Sequence, residues 1–295
     1  MALNYELYKV FHQVALHLSF SKAADNLFIS QSAVSQNIKN LEAELQTKLF
    51  IRSTKNVKLT EAGKTLFDHI EPACNLIENG EKSIKEINAL KKGEIHIGAN
   101  DTISKDYLLP YLSKFHQLYP NIQIKITNRT SSTCISLLMQ NKVDFIISNL
   151  PNPKITKQMN VDEIFAFNDI FIANKEFNEL KNDNVTLKKL KEYPLLMLES
   201  KTTTRQFFEN TLNKAEIKIE AAVELGSVDL LIEMTKIGLG ISLVPEYSIN
   251  LKNQEVFEVI TKEKLPTRKL AVIKMKNIPL SKAAKKFLKI IKNSL

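Results

Sequence analysis

Cysteine, glycine and arginine are scarce in this 295-residue chain, and each scarcity removes a class of chemistry. The two cysteines, Cys74 and Cys134, lie far apart, with no second Cys or His at metal-ligand spacing beside either. That pattern offers no disulfide framework and no cysteine metal site, so two reduced thiols are expected. The seven glycines include no G-x-G-x-x-G, and the five histidines show neither metal spacing nor a nucleophile to activate. No enzyme is expected, and no cofactor or metal is implied. Long apolar runs are missing too: none approaches the ~18 residues of a membrane span. The polar start Met1-Ala2-Leu3-Asn4-Tyr5-Glu6 lacks the basic stretch and apolar core of a secretory signal. A cytoplasmic protein without a membrane partner is expected, which argues against an exported solute-binding protein.

What is present is a 44% hydrophobic content, ample for more than one packed core, and a formal charge of +9. Of the 41 basic residues only Arg52, Arg129, Arg205 and Arg268 are arginine. The charge does not mark a nucleic-acid site at the N-terminus, because residues 1–92 hold 12 Lys and Arg against 10 Asp and Glu.

Apolar periodicity is more informative. Leu7, Val10, Phe11, Val14 and Leu18 form one face of a helix over Asn4 to Leu18. A short second helix follows in Ser19 to Phe28, where Ser21 can cap and the small Ala23 and Ala24 permit close crossing. A third starts after Ile29 and is expected to bury Val34, Ile38, Leu41 and Leu45, leaving a polar opposite face. Amphipathicity alone fits an ordinary helical hairpin with a solvated face better than it fits a major-groove reader. Leu49 to Thr60 then reads as two short strands around a basic tip, the form of a wing.

The run from Ser19 to Gly63 resembles the DNA-binding head of LysR-type transcriptional regulators. The matching residues are Phe20, Ala23-Ala24, Ser30-Gln31, Ala33-Val34-Ser35, Ile38, Leu41-Glu42, Leu49-Phe50, Arg52 and Leu59-Thr60-Glu61-Ala62-Gly63. Two departures fall where base preference is written: Ser32 stands where the family commonly has proline, and Gln36 where it has arginine. Gln31, Ser32, Ser35 and Gln36 are the base-edge candidates, whereas Lys39, Arg52, Thr54, Lys55 and Lys58 suit phosphate.

From Thr60 to about Lys91 a long helix is expected, with Leu66, Ile70, Ala73, Ile77, Gly80, Ile84 and Ile87 at alternating spacings of four and three. That stripe is a pairing seam in which Pro72 should kink or break the helix. The resemblance implies a linker-helix dimer, a tetramer in many relatives, and paired DNA half-sites.

After Lys91-Lys92-Gly93 strands and helices alternate, a βαβ organisation. Helices are expected over Lys105–Tyr119, Ser131–Gln140, Thr203–Asn213, Val228–Ile237 and Ser281–Ile291. The resemblance extends through Val143-Asp144-Phe145-Ile146-Ile147 and Gly238 to Pro245. It implies an α/β fold with a winged helix-turn-helix N-terminal domain and a two-lobed C-terminal domain like the periplasmic binding proteins. The expected divisions are a DNA-binding domain at 1–65, a linker helix at 60–92 and an effector-binding domain at 93–295. Lobe I would take 93–163 and 266–295, and lobe II 164–265. The chain would cross near Val161 to Asn168 and near Lys262 to Pro266, with a small-molecule effector in the cleft.

Helix N-termini offer free amide donors, so three hydroxyl-bearing strand-to-helix turns are the cleft candidates. They supply Asn100, Thr102 and Ile103; Thr130 and Ser131; and Thr202, Thr203 and Arg205. Asn149, just past a strand, is a further position. These groups favour a small anion. Ligand-driven closure would re-angle the heads and so affect RNA polymerase recruitment. A thiol switch is the competing form of regulation.

Overall fold

The structure, a computed structural model, describes residues 4–52, 56–88, 93–181, 184–214, 216–251 and 255–293. Two units separate, Met1–Lys85 and Glu86–Leu295.

The first unit begins with three helices, each opened by a side-chain cap that satisfies an otherwise orphaned amide. Asn4 caps α1 (Tyr5–His17), Ser19 caps α2 (Phe20–Leu27) and Ser30 caps α3 (Gln31–Glu44). The cap of α2 is thus Ser19 rather than the expected Ser21. Leu7, Val10, Phe11 and Val14 of α1 meet Phe20, Ala23 and Ala24 of α2 and Val34, Ile38 and Leu41 of α3 in one core. Burial of each large side chain stabilises by about 1.5–3 kcal/mol relative to exposure. Leu45 departs from the expected stripe: it lies just past the end of α3 and is 37% exposed.

Strands β1 (Phe50–Arg52) and β2 (Val57–Leu59) pair antiparallel, Phe50 opposite Leu59. The Phe50 ring lies 5.4 Å from Phe11 and 5.8 Å from Phe20, which fixes the wing to the helices. Thr60 then donates to the Lys48 carbonyl and accepts from the Gly63 amide, starting α4 (Glu61–Asn88). A Cβ at Gly63 would sit 2.1 Å from the Leu49 carbonyl oxygen, so only glycine permits this approach.

Helix α4 passes through Pro72 without a break, contrary to one expected outcome. The expected seam divides along its length. Leu66 and Ile70 pack on the head's own core, whereas Ala73, Ile77, Gly80 and Ile84 are exposed. The Ile87 side chain lies outside the described residues.

The second unit holds two five-stranded sheets. The first orders β4 (Ile122–Asn128), β3 (Gly93–Ala99), β5 (Phe145–Leu150), β12 (Arg268–Met275) and β6 (Met159–Phe167). The second orders β11 (Phe257–Val259), β7 (Asp169–Ala173), β10 (Ile241–Pro245), β8 (Leu195–Leu198) and β9 (Val223–Leu225). Strands β3, β4 and β5 run parallel, as do β8, β9 and β10, and antiparallel strands complete each sheet. Of the residues expected near the first crossing, Val161 to Phe167 belong to β6, paired with β12 as far as Phe167 opposite Arg268, and the chain passes to the second sheet at Asn168, before β7. The last strand, β12, does return to the first sheet.

The expected helix at Lys105 starts earlier, as a π-helical segment Ile103–Leu108 that runs into α5 (Leu109–Leu118). The other helices are α6 (Ser131–Met139), α7 (Thr203–Lys214), α8 (Val228–Lys236) and α9 (Lys282–Lys292).

Candidate functional sites

On helix α3 the buried positions Val34, Ile38 and Leu41 leave Gln31, Ser32, Gln36 and Lys39 exposed, with Ser35 half-buried. The helix opens on exposed polar groups: Ser30 Oγ accepts from the Ala33 amide and lies 2.8 Å from Ser32 Oγ. Gln36 donates from Nε2 to Asn40 Oδ1 at 2.8 Å, one turn on, which fixes the direction of its amide. Lys58 is exposed on β2, and Arg52 pairs with Val57 through β1. Thr54 and Lys55 lie outside the described residues.

Glu42, one of the residues that carry the family resemblance, has a structural task. Its Oε1 accepts from the Leu49 and Phe50 amides at 2.9 and 3.3 Å, and Oε2 accepts from Lys48 Nζ at 3.0 Å. Burial opposes ionisation, but the Leu49 amide, Lys48 and the Phe50 amide outweigh it and hold the carboxyl below its ordinary pKa. Helix α3 and the strand pair β1–β2 are therefore tied through one carboxylate.

In the second unit, a cavity of about 320 Å³ lies at the carboxyl ends of the six parallel strands. Its wall includes Asn100 after β3, Asn128 at the end of β4, Asn149 on β5, Leu198 at the end of β8, Gly226 after β9 and Pro245 at the end of β10. Parallel strands feed helices at this end, so helix starts with their amide donors gather around the space. Asn100 Oδ1 accepts from the Ile103 amide at 2.9 Å. Thr130 caps α6, Thr202 accepts from the Arg205 amide at 3.3 Å, and Ser227 caps α8.

Seven of the nine expected cleft residues line this cavity: Asn100, Thr102, Thr130, Ser131, Asn149, Thr202 and Thr203. Two do not. Ile103 is fully buried in the hydrophobic core of the first sheet. Arg205 is turned away, donating to Glu209 at 2.7 Å, Glu224 at 2.9 Å and the Leu198 carbonyl at 3.0 Å.

The cation on the cavity wall is Arg129, which is exposed and donates from Nη1 to the Asn128 carbonyl at 2.7 Å. Its position next to Thr130 is the sequence signal that points to it. The fourth helix start, at Gly226-Ser227-Val228, is equally legible as a Gly-Ser turn between strand and helix. Asp101 also lines the cavity, where its carboxylate accepts from Asn128 Nδ2. Asn149, almost wholly buried, accepts from the Tyr247 hydroxyl at 3.2 Å. The arrangement can present amide, hydroxyl and guanidinium donors to a small polar molecule. Among the described residues no group of side chains could hold a metal ion.

Both thiols are buried. Burial pushes Cys134 up to about 11 and raises Cys74 as well. No helix of the described residues is long and apolar enough to cross a membrane.

Comparison with known proteins covers both units. The model of the bacterial regulatory helix-turn-helix protein, lysR family, matches residues 5–64, and that of the LysR substrate binding domain matches residues 88–295. The HTH-type transcriptional activator CmpR of Synechocystis sp. is 28% identical over 283 residues, 95% of this chain and 92% of that relative. Among solved structures, full-length OxyR from Pseudomonas aeruginosa aligns with a TM-score of 0.72 at 20% identity, covering 99% of this chain and 95% of that one. Full-length CbnR complexed with its target DNA gives 0.67 at 16% identity, covering 99% of this chain and 100% of that one. These two structures share the fold, and the substrate-binding match alone spans more than half of the sequence. The chain therefore belongs to the LysR family of transcriptional regulators.

Proposed function

We propose that this regulator is governed by a small polar anion bound in the cavity where the two sheets meet. The observation that carries the reading is the convergence of helix starts on one space whose wall includes Arg129 and no lysine. Buried Ser131, Thr203 and Asn149 surround the space with neutral hydrogen-bonding groups. Asp101 opposes a bare anion, so the best fit is a molecule with an anionic end and a hydroxyl or amine to donate to that carboxylate. Residues 93–163 with 266–295, and residues 164–265, would be the lobes whose closure the ligand shifts.

At the other end, Gln31, Ser32, Ser35 and Gln36 would read base edges, and Lys39, Arg52, Thr54, Lys55 and Lys58 would hold phosphates. The exposed stripe of Ala73, Ile77 and Ile84 supports pairing through α4, so that two heads meet paired half-sites in the cytoplasm. Recruitment of RNA polymerase would follow from the DNA geometry that the pair imposes.

A thermal-shift series with sulfate, phosphate, small carboxylates and hydroxy acids tests the cavity. A saturable shift that Arg129→Gln abolishes and Arg205→Gln retains is expected, together with a change in DNA affinity on ligand addition. Shifts that Arg129→Gln leaves intact would refute the cavity assignment. For the head, Gln36→Ala should weaken discrimination between target and random DNA more than it weakens random binding. Lys55→Ala should reduce both alike.

A further inference from the structure

The chain's positive charge is confined to its end. Residues 264–295 contain ten Lys and Arg and no Asp or Glu, whereas the whole chain has 41 against 32, which leaves 31 against 32 for everything before. Part of this excess is used internally. Arg268 is buried against Asp169, Lys269 pairs with Glu163 and Lys274 pairs with Asp162.

The remainder gathers on α9, whose eleven residues Lys-Ala-Ala-Lys-Lys-Phe-Leu-Lys-Ile-Ile-Lys include five lysines. Ala283, Ala284, Phe287, Leu288 and Ile291 are buried in the core of the first sheet, so Lys282, Lys285, Lys286, Lys289 and Lys292 all stand on the exposed side. Lys286 lies over the Tyr119 ring at 4.3 Å. The other four make no ion pair among the described residues, unlike Lys105, Lys125, Lys236, Lys269 and Lys274. Helix α5, which packs on α9 through Phe115 and Phe287, adds the exposed Lys114 and no carboxylate.

Like charges three and four residues apart on a helix repel one another, and Lys282, Lys285, Lys286, Lys289 and Lys292 are spaced in that way. Among the described residues no carboxylate pairs with these five lysines, so the face is suited to an external polyanion. Its chemistry selects which one. Lysines supply point charges without the planar fork that reads base edges or binds carboxylates bidentately. The apolar side of α9 is consumed by the core, so it cannot insert into a lipid surface as an interfacial helix does. Lys282 to Lys292 extends about 15 Å along the helix, which matches roughly four successive phosphates of a DNA strand in axial length.

We propose that the lysine face of α9 is a second DNA contact surface, which holds the phosphate backbone without reading sequence. The proposal rests on the family's DNA binding and is independent of the effector reading. It adds sequence-independent affinity from the second unit to the phosphate contacts proposed for the head, and leaves discrimination to the head alone.

The test uses the full chain carrying Lys282→Gln, Lys285→Gln, Lys289→Gln and Lys292→Gln together, on a long duplex of random sequence, with affinity followed against salt. Each phosphate that the variant no longer neutralises flattens the plot of log K against log salt by about 0.9, so a decrease of roughly 2–4 per protomer is expected. The matching Lys→Arg set should retain the original slope. Thermal unfolding should show the Gln variant as stable as the parent or more so, because repulsion is relieved. A folded variant with an unaltered slope overturns the proposal. So does an unaltered slope accompanied by loss of binding to RNA polymerase or to anionic vesicles, which would assign the face to that partner. Failure of the parent chain to bind any duplex would overturn the DNA function of the head as well.

Discussion

The Arg268 guanidinium donates through Nη1 to Asp169 Oδ2 at 2.9 Å, and neither side chain retains any exposure to solvent. The two residues begin β12 and β7, one strand in each sheet. Arg268 also donates to the Leu150 carbonyl through Nε and to Thr204 through Nη1, and stacks 4.8 Å from the Phe207 ring. Thr204 lines the cavity, so this pair joins both sheets to the cavity wall. A buried charge left without its partner is costly: Arg268→Met or Asp169→Asn alone should destabilise the second unit by about 3–5 kcal/mol. The double variant should be destabilised by less than the sum of the two single effects. Denaturant unfolding of the four proteins checks this, and additive effects would show that the pair is not coupled.

Glu42 gives the head a pH dependence of definite sign. Its carboxyl is held below the ordinary range in the folded chain, so its contribution is present at neutral pH and lost as pH falls through the carboxylate range. Glu42→Ala leaves the Leu49 and Phe50 amides unpaired, a cost of about 1–3 kcal/mol for each buried donor that water cannot reach. Glu42→Gln keeps an acceptor and should cost less. Both deficits should shrink in urea melts at acidic pH, and a deficit constant from neutral to strongly acidic pH would count against the carboxylate tie.

Most of the helices and parallel strands are legible in the sequence because each buries one face within a short stretch, as Val34, Ile38 and Leu41 do. The features that escape it depend on partners distant in the chain. The crossing expected near Val161 to Asn168 is mostly strand, because Asp162 and Glu163 meet Lys274 and Lys269 on the neighbouring strand. Closeness to Thr202 points Arg205 toward the cavity, but Glu224 on another strand draws it away. The burial of Arg268 is invisible for the same reason, its counter-ion being 99 residues distant. The three-residue β11 is too short to show a period.

The thiols bear on regulation. Reactivity requires a thiolate, and burial disfavours it at both positions: Cys134 is pushed up to about 11, and Cys74 is raised despite its hydrogen bond with Tyr5. Alkylation of the native chain should therefore be slow at both cysteines at neutral pH and fast after denaturation. Mild peroxide should leave DNA affinity unchanged. Rapid native labelling of either residue, with a matching change in DNA binding, would favour a thiol switch over a bound ligand.

Asp106 supplies a pH dependence of opposite sign in the second unit. It lies in the π-helical segment, where Oδ2 is buried without a hydrogen-bond partner, and Lys105 Nζ stands 3.9 Å from the other oxygen. Burial dominates and raises the pKa from 3.8 to about 6; Lys105 opposes the shift, and Asp229 adds to it. The folded chain thus holds this proton more tightly than the unfolded chain does. Stability should fall as pH rises from about 4 to 6, where ionisation in the folded state lags behind that in the unfolded state, and stay lower above. Asp106→Asn removes the ionisation and keeps the shape, so it should raise the melting temperature at neutral pH and change it little near pH 4. The Lys105 to Asp229 ion pair at 2.7 Å remains available in that variant, which separates the effect of the buried charge from that of the pair. Melting curves of parent and variant across this range decide the matter: a gain that is equal at every pH would place its origin outside Asp106 ionisation.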